Sequence, residues 1–473
     1  MEYRTERDSL GERNVPADAY YGIQTLRATE NFPVSGRCMH PQFIRAYLMI
    51  KKACATTHME LGSLDTERGR AILQACDEAL AGRFADQWMV DVYQAGAGTS
   101  FNMNVNEVLA NRALEILGRE RGNYGYLSPN DHVNLAQSTN DTFPTAMHIS
   151  TLFMVEELVG VLDDLASALE AKGKEFAAVI KSARTHLQDA VPITLGQEFL
   201  AYGAAIGRAR DQIVERSKLL EEVALGGTAA GTGVNAPPLY RATVIRNLGY
   251  ISGLTLSAAS DSRAAMQSFL PTAAVSSGLK ELALELIRVA NDLRLLSSGP
   301  RTGLAEIGLP PVQPGSSMMP GKVNPVMAEC LDMIAYQVVG NDLTISMAVQ
   351  AGQLDFNVMM PVMIHNLLES IEILKNFLPV FIEKCVRGIS ADTKRCRGFF
   401  EQSIALATLL SPRIGYLKAA ELAKEAEGRG TSVVDVVLEK GILSREELEK
   451  ILDPEVVTGQ RPISRNSETK GVV

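Results

Sequence analysis

The chain has 473 residues, 46% hydrophobic and 21% charged, so it carries enough apolar material for a large core and is not a wholly disordered polypeptide. Its 46 Lys and Arg stand against 55 Asp and Glu, a formal net charge of −9, and aromatics are 6% with Trp88 as the single tryptophan. An acidic chain poor in aromatic side chains argues against a nucleic-acid binder that tracks phosphates or stacks bases.

In chain order, the N-terminus opens on Met1-Glu2-Tyr3-Arg4, without the basic start or apolar stretch of a signal peptide. No apolar run approaches ~18 residues, so no membrane span is expected. The cysteines (Cys38, Cys54, Cys76, Cys330, Cys385, Cys396) are scattered without a CxxC pair, and the histidines form no HExxH pair. That usage fits free thiols in a reducing cytoplasm, with neither a metal site nor a cofactor expected.

Residues 1–140 read as an N-terminal mixed helical domain. It has a polar, turn-rich opening to Gly36, and helical periodicity begins near Pro41. Residues 141–390 read as a central bundle of long helices. Its first rod, from Thr145 to about Ile180, repeats apolar residues at three- and four-residue steps through Leu152, Val155, Leu158, Leu162 and Leu165. Similar rods are expected over roughly 194–223, 261–297, 326–350 and 358–387. A helix of ~35 residues is ~50 Å long, which suits an elongated bundle and not a compact α/β fold. Residues 269–290 are apolar on most sides, which predicts association of several bundles into an oligomer. Residues 391–460 read as a small C-terminal helical domain, with a helix start at Ser444 followed by Glu446 and Glu447. Residues 461–473 read as a disordered polar tail.

Four stretches interrupt this helical background with small polar donors: Gly96-Ala97-Gly98-Thr99-Ser100; Ser128 to Asn134, running on to Ser138-Thr139-Asn140-Asp141; Arg184-Thr185-His186-Leu187-Gln188-Asp189; and Gly315 to Pro325. Taken singly, Thr-Ser-Asn clusters also serve as helix caps and turns, and a lone His186 also serves as a structural hydrogen-bonding residue. The fourth stretch is harder to read that way. Gly and Pro at both flanks keep it out of the adjoining helices, so Ser316, Ser317, Lys322 and Asn324 share a loop suited to a mobile lid over an anion. Hydroxyls, amides, one lysine and one histidine lack the parts of a phosphate cradle, a metal cluster or a catalytic triad. They suit a small dianion, and a reaction that builds a second negative charge on a carboxylate, as proton abstraction beside it does.

On these residues the chain resembles the fumarase/aspartase superfamily. GSSMMPGKVNP (315–325) is similar to its signature loop. GAGTSFNMNVNEV (96–108), SPNDHVNLAQSTNDTFPTA (128–146) and RTHLQDAVPITLGQEF (184–199) resemble its other shared regions, and the likeness runs from about Arg4 to about Gly459. The resemblance implies an all-α, three-domain subunit whose long central helices build the core of a homotetramer, with each active site assembled from three subunits. Gly96–Ser100, Ser138-Thr139-Asn140 and Tyr20-Tyr21-Gly22 resemble the branch that releases ammonia from L-aspartate, a carbon–nitrogen lyase reaction giving fumarate. Class II fumarases typically read GSGTQ, Ser-Ser-Asn and Tyr-Trp-Gly there. Pro361–Asn366 reads more like the fumarases, and Met360 matches neither branch. Class II fumarase therefore stands as the alternative, and a structural crystallin-type role would require a degraded donor set that this chain does not have.

The resemblance also implies roles. Ser316 is expected to be the general base, with Ser317, its neighbour and rival for that part, binding substrate. Thr99, Ser138, Thr139 and Ser317 are expected to hold the β-carboxylate. Lys322, Asn324 and Thr185 are expected on the α-carboxylate, and Asn140 with the catalytic His186 at the amino group. Glu329 is expected to orient that histidine.

Overall fold

The computed structural model describes residues 2–459, so the tail expected over 461–473 lies outside the described residues. The chain opens on an antiparallel hairpin of β1 (Tyr3–Asp8) and β2 (Gly11–Pro16), with Tyr3 opposite Pro16 and Asp8 opposite Gly11. Helices α1 (Ile23–Asn31), α2 (Pro41–Glu60), α3 (Thr66–Leu80) and α4 (Thr99–Ile116) follow. Their starts are set locally. His40 Nδ1 accepts from Gln42 N–H ahead of α2, where Pro41 occupies the first turn, and Asp65 accepts from Arg68 N–H ahead of α3.

Five long helices follow: α5 (Thr139–Glu175), α6 (Leu195–Ser217), α9 (Leu270–Leu296), α10 (Val326–Gln350) and α11 (Met360–Lys384). Between α5 and α6 lies a second antiparallel hairpin, β3 (Ile180–Thr185) and β4 (Gln188–Thr194). Between α6 and α9 lie α7 (Tyr240–Ser252) and α8 (Ser262–Gln267), with β5 (Glu222–Val223) parallel to β6 (Ser257–Ala258). β7 (Ile307–Gly308) pairs antiparallel with β8 (Ser390–Ala391). The chain closes on short helices α12 (Thr393–Gln402), α13 (Ala407–Ile414), α14 (Tyr416–Arg429), α15 (Val433–Glu439), α16 (Arg445–Ile451) and α17 (Pro454–Val457). The expected start at Ser444 is a full capping box, its side chain exchanging hydrogen bonds with Glu447. The mainly helical fold read from the sequence is the one observed.

The chain divides into two compact units. The first comprises residues 2–160, 209–284 and 334–376, and the second 161–208, 285–333 and 377–459. In the first, Phe43 and Tyr47 of α2 pack with Phe101 of α4 and Phe143 of α5. The Phe43 ring centroid lies 4.8 Å from that of Phe143 and 5.5 Å from that of Phe101. Within the second, the C-terminal helices enclose a core of their own around Leu410, Leu422, Val436 and Leu448.

Candidate active site

The first unit gathers Thr99, Ser138, Thr139 and Asn140. Thr99 begins α4 directly after Gly98, whose φ of +86° belongs to the left-handed region. A Cβ on Gly98 would stand 2.1 Å from the Phe143 ring, so backbone conformation and packing both demand glycine. Thr99 Oγ1 donates to Thr139 Oγ1 at 3.2 Å, joining two stretches 40 residues apart. Asn102, one turn further along α4, donates to Thr139 Oγ1 at 3.1 Å.

The turn carrying Ser138, Thr139 and Asn140 is held by Asp141. Its carboxylate accepts from the N–H of Ser138 (3.0 Å), Gly226 (3.0 Å) and Thr228 (2.9 Å). Asn140 Nδ2 adds a bond to Ala229 O at 2.8 Å. Burial pushes the Asp141 carboxyl up to about 7, against the pull of those three N–H groups and of Lys51. Lys51 lies behind the same turn, donating to Asn102, Asn134 and Gln137, and burial pushes its ammonium down to about 8. Sequence reasoning quoted Asp141 and Asn102 inside their motifs without assigning them a part, and did not single out Lys51. The available signal was a lysine on the apolar face of α2, one turn from Tyr47 and Cys54.

Thr185 and His186 lie in the second unit, at the tip of the β3–β4 hairpin. Thr185 pairs with Gln188, so His186 and Leu187 form a two-residue connection, and both have positive φ, 56° and 59°. Such turns favour Asn-Gly, because a side chain at positive φ is strained by about 1 kcal/mol or more. A histidine and a leucine held this way, with Leu187 70% exposed, are the pattern expected where strain serves a site. The hairpin is rooted in a buried charge cluster. Lys181 Nζ meets Glu306 at 2.7 Å and Glu198 at 3.0 Å, and Arg184, beside Thr185, meets Glu306 at 2.9 Å.

Ser316, Ser317, Lys322, Asn324 and Glu329 also belong to the second unit. Gly315 admits no side chain, since a Cβ there would stand 2.1 Å from Lys322 O. Asn324 Nδ2 donates to Gly315 O at 2.6 Å, and Lys322 Nζ donates to Asn324 Oδ1 at 2.8 Å, so both ends of the loop are tied together. Ser316 Oγ accepts from the N–H groups of Met318 (3.2 Å) and Met319 (2.9 Å). Ser317 is exposed and Met318 is 84% exposed. Glu329 is half-buried in the first turn of α10. Each of the three groups (Thr99 with Ser138–Asn140, the hairpin tip, and the 315–325 loop) is thus held by contacts of its own.

Among the described residues no cluster of three or more His, Cys, Asp and Glu side chains is arranged to hold a metal ion, and no helix is long and apolar enough to cross a membrane. The described cysteines are all unpaired.

A mainly helical chain with these hydroxyl and amide clusters belongs to the fumarase/aspartase superfamily of lyases. The family model described as "Lyase" matches residues 11–340, and that described as "Fumarase C C-terminus" matches residues 406–459. The chain is 51% identical to the aspartate ammonia-lyase of Bacillus subtilis over 457 residues, covering 97% of this chain and 96% of that protein. It is similar to a crystal structure titled fumarate lyase:delta crystallin from Brucella melitensis bound to cobalt. The TM-score there is 0.94 at 49% identity, covering 98% of this chain and all of that one. Class II fumarase from Schistosoma mansoni superposes with a TM-score of 0.92 at 37% identity, covering 97% of this chain and all of that one.

Proposed function

We propose that the protein catalyses the reversible deamination of L-aspartate to fumarate and ammonia, a carbon–nitrogen lyase reaction, by removing a β-proton through an aci-carboxylate intermediate. The observation that carries this reading is the setting of Ser316, a hydroxyl already accepting two main-chain N–H groups on a loop that also bears Lys322. A serine is a poor base at its ordinary acidity. Oriented N–H groups and an ammonium lower the cost of its alkoxide, which is the form able to take a proton from carbon.

In this reading Ser316 takes the β-proton, and the electron pair of the C–H bond enters the β-carboxylate to give a doubly charged aci-form. Thr99, Ser138, Thr139 and Ser317 hold that group, Thr99 through the hydrogen bond it gives Thr139, and the bonds donated to the carboxylate strengthen as charge develops. Lys322, Asn324 and Thr185 bind the α-carboxylate. Asn140 and His186 face the amino group, with Glu329 orienting the histidine. The pair then returns to form the carbon–carbon double bond, and the C–N bond breaks to release ammonia.

The particular substrate follows from kinship: 51% identity to an aspartate ammonia-lyase stands against 37% to a class II fumarase. Pro361–Asn366 reads like the fumarases, which keeps hydration of fumarate as the rival. One enzyme preparation assayed for fumarate from L-aspartate and from L-malate separates the two. Turnover of L-aspartate is expected, and turnover of L-malate alone overturns the reading. Ser316→Ala is expected to lower turnover by about a hundredfold or more while fumarate still binds. Near-normal turnover removes Ser316 as the base.

We further propose a homotetramer in the cytoplasm, with active sites shared among three subunits. The support is an exposed stripe on α10 at heptad spacing, Met333, Tyr336, Leu343 and Met347, with Gly340 between. The unpaired cysteines suit a reducing compartment.

A further inference from the structure

Lys51 is a buried charge to which the proposed chemistry gives no part. It is 1% exposed, and its three N–H groups are all used, on Asn102 Oδ1 (2.8 Å), Gln137 Oε1 (2.8 Å) and Asn134 Oδ1 (3.1 Å). All three acceptors are neutral carboxamides. An ammonium taken out of water without a carboxylate in contact is costly to keep, and packing would be served as well by methionine.

What an ammonium does that methionine cannot is fix the direction of an amide, because it donates and never accepts. Asn102 must turn Oδ1 to Lys51, which sends its Nδ2 the other way. There Nδ2 donates to Thr139 Oγ1 at 3.1 Å and to Asn134 Oδ1 at 3.2 Å. Thr139 Oγ1 accepts a second bond from Thr99 Oγ1 at 3.2 Å. With both lone pairs of that oxygen engaged, the hydroxyl proton of Thr139 has no partner in the pair and is left for a ligand. Were the Asn102 amide reversed, its Oδ1 would take that proton. Thr99 would still spend its own on Thr139, and the pair would offer a carboxylate nothing.

We propose that Lys51 and Asn102 are positioning residues that act through Thr139, an ammonium–amide relay that keeps one hydroxyl proton of the Thr99–Thr139 pair available to the substrate carboxylate. This rests on the reading, given above, that Thr99 and Thr139 hold the β-carboxylate. A side chain that only filled space would affect stability and leave kcat/KM alone.

Asn102→Asp tests the relay, because it keeps an acceptor for Lys51 yet turns a carboxylate oxygen towards Thr139. The variant is expected to melt within a few degrees of the parent while kcat/KM for L-aspartate falls about tenfold or more. Thr139→Val is expected to lose at least as much. The double variant is expected to be no worse than Thr139→Val alone, since the relay has no other outlet. Retention of kcat/KM within about twofold in Asn102→Asp, or losses that multiply in the double variant, overturns the relay. If Thr139→Val keeps its kcat/KM, the assignment of the β-carboxylate site is what fails. Lys51→Met frees the amide to turn, and it decides the question by the same criteria if Asn102→Asp does not accumulate as folded protein.

Discussion

Asp141 joins three main-chain donors from two segments far apart in the sequence, Ser138 on one side and Gly226 and Thr228 on the other. Burial raises its carboxyl to about 7 from an ordinary 3.8. The folded state therefore holds this proton more tightly than the unfolded chain does. The resulting contribution to stability is fully present below pH 3.8 and is lost as pH rises through about 7. Asp141→Asn removes that term, so its urea midpoint is expected to fall less steeply with pH between those limits than the parent's. Parallel slopes across the same range show that Asp141 does not titrate there. At this scale the residues of the four polar stretches were legible in the sequence, because small donors are conspicuous against helix. Lys51 was not, since a lysine in a helix ordinarily reads as a solvated residue, and only packing puts it inside.

Helices with continuous apolar periodicity were legible nearly to the residue. The expected 326–350 coincides with α10, and 358–387 brackets α11. Where boundaries moved, proline and local bonding account for the shift. The first rod, expected from Thr145, starts at Thr139 because Ser138 O accepts the N–H groups of Asp141 and Thr142, and Pro144 is accommodated inside the helix. The stretch expected as one rod over 261–297 is broken at Ser268 and Phe269, with Pro271 in the first turn of α9. The β1–β2 hairpin escaped notice because YRTERD and GERNVP lack the apolar alternation that marks a half-buried strand. The junction of α4 with α5 makes a sharper demand. Gly98→Ala places a methyl on the Phe143 ring at a left-handed φ, and a loss of about 2–4 kcal/mol is expected by urea unfolding. A change below about 1 kcal/mol would mean that the ring moves aside freely.

At the scale of the molecule, each long helix has a buried face, and α10 also carries its exposed apolar stripe. Leu343, 65% exposed, stands in the middle of it. A charge there is tolerable in water and costly in an apolar seam, so Leu343→Glu is expected to lower the mass measured by light scattering below that of the parent protein. Activity is expected to fall with it if sites are shared between subunits. An unchanged mass removes this stripe from the interface. The prediction of association came from helices too apolar for one bundle to cover. That expectation is local in origin, because the excess of apolar surface is a property of each helix alone.

The amino-acid sequence by itself determined the helical class, the approximate course of the long rods, the polar loops and the family, because periodicity and contiguous motifs are local and survive without coordinates. Only the tertiary structure decided the partnerships: Lys51 with amides 51, 83 and 86 residues away, Asp141 with the 226–228 turn, and Gly98 with the Phe143 ring. The physical reason is that a hydrogen bond or a close contact depends on which helix faces meet, and that is settled by packing the whole chain, not by any one stretch of it.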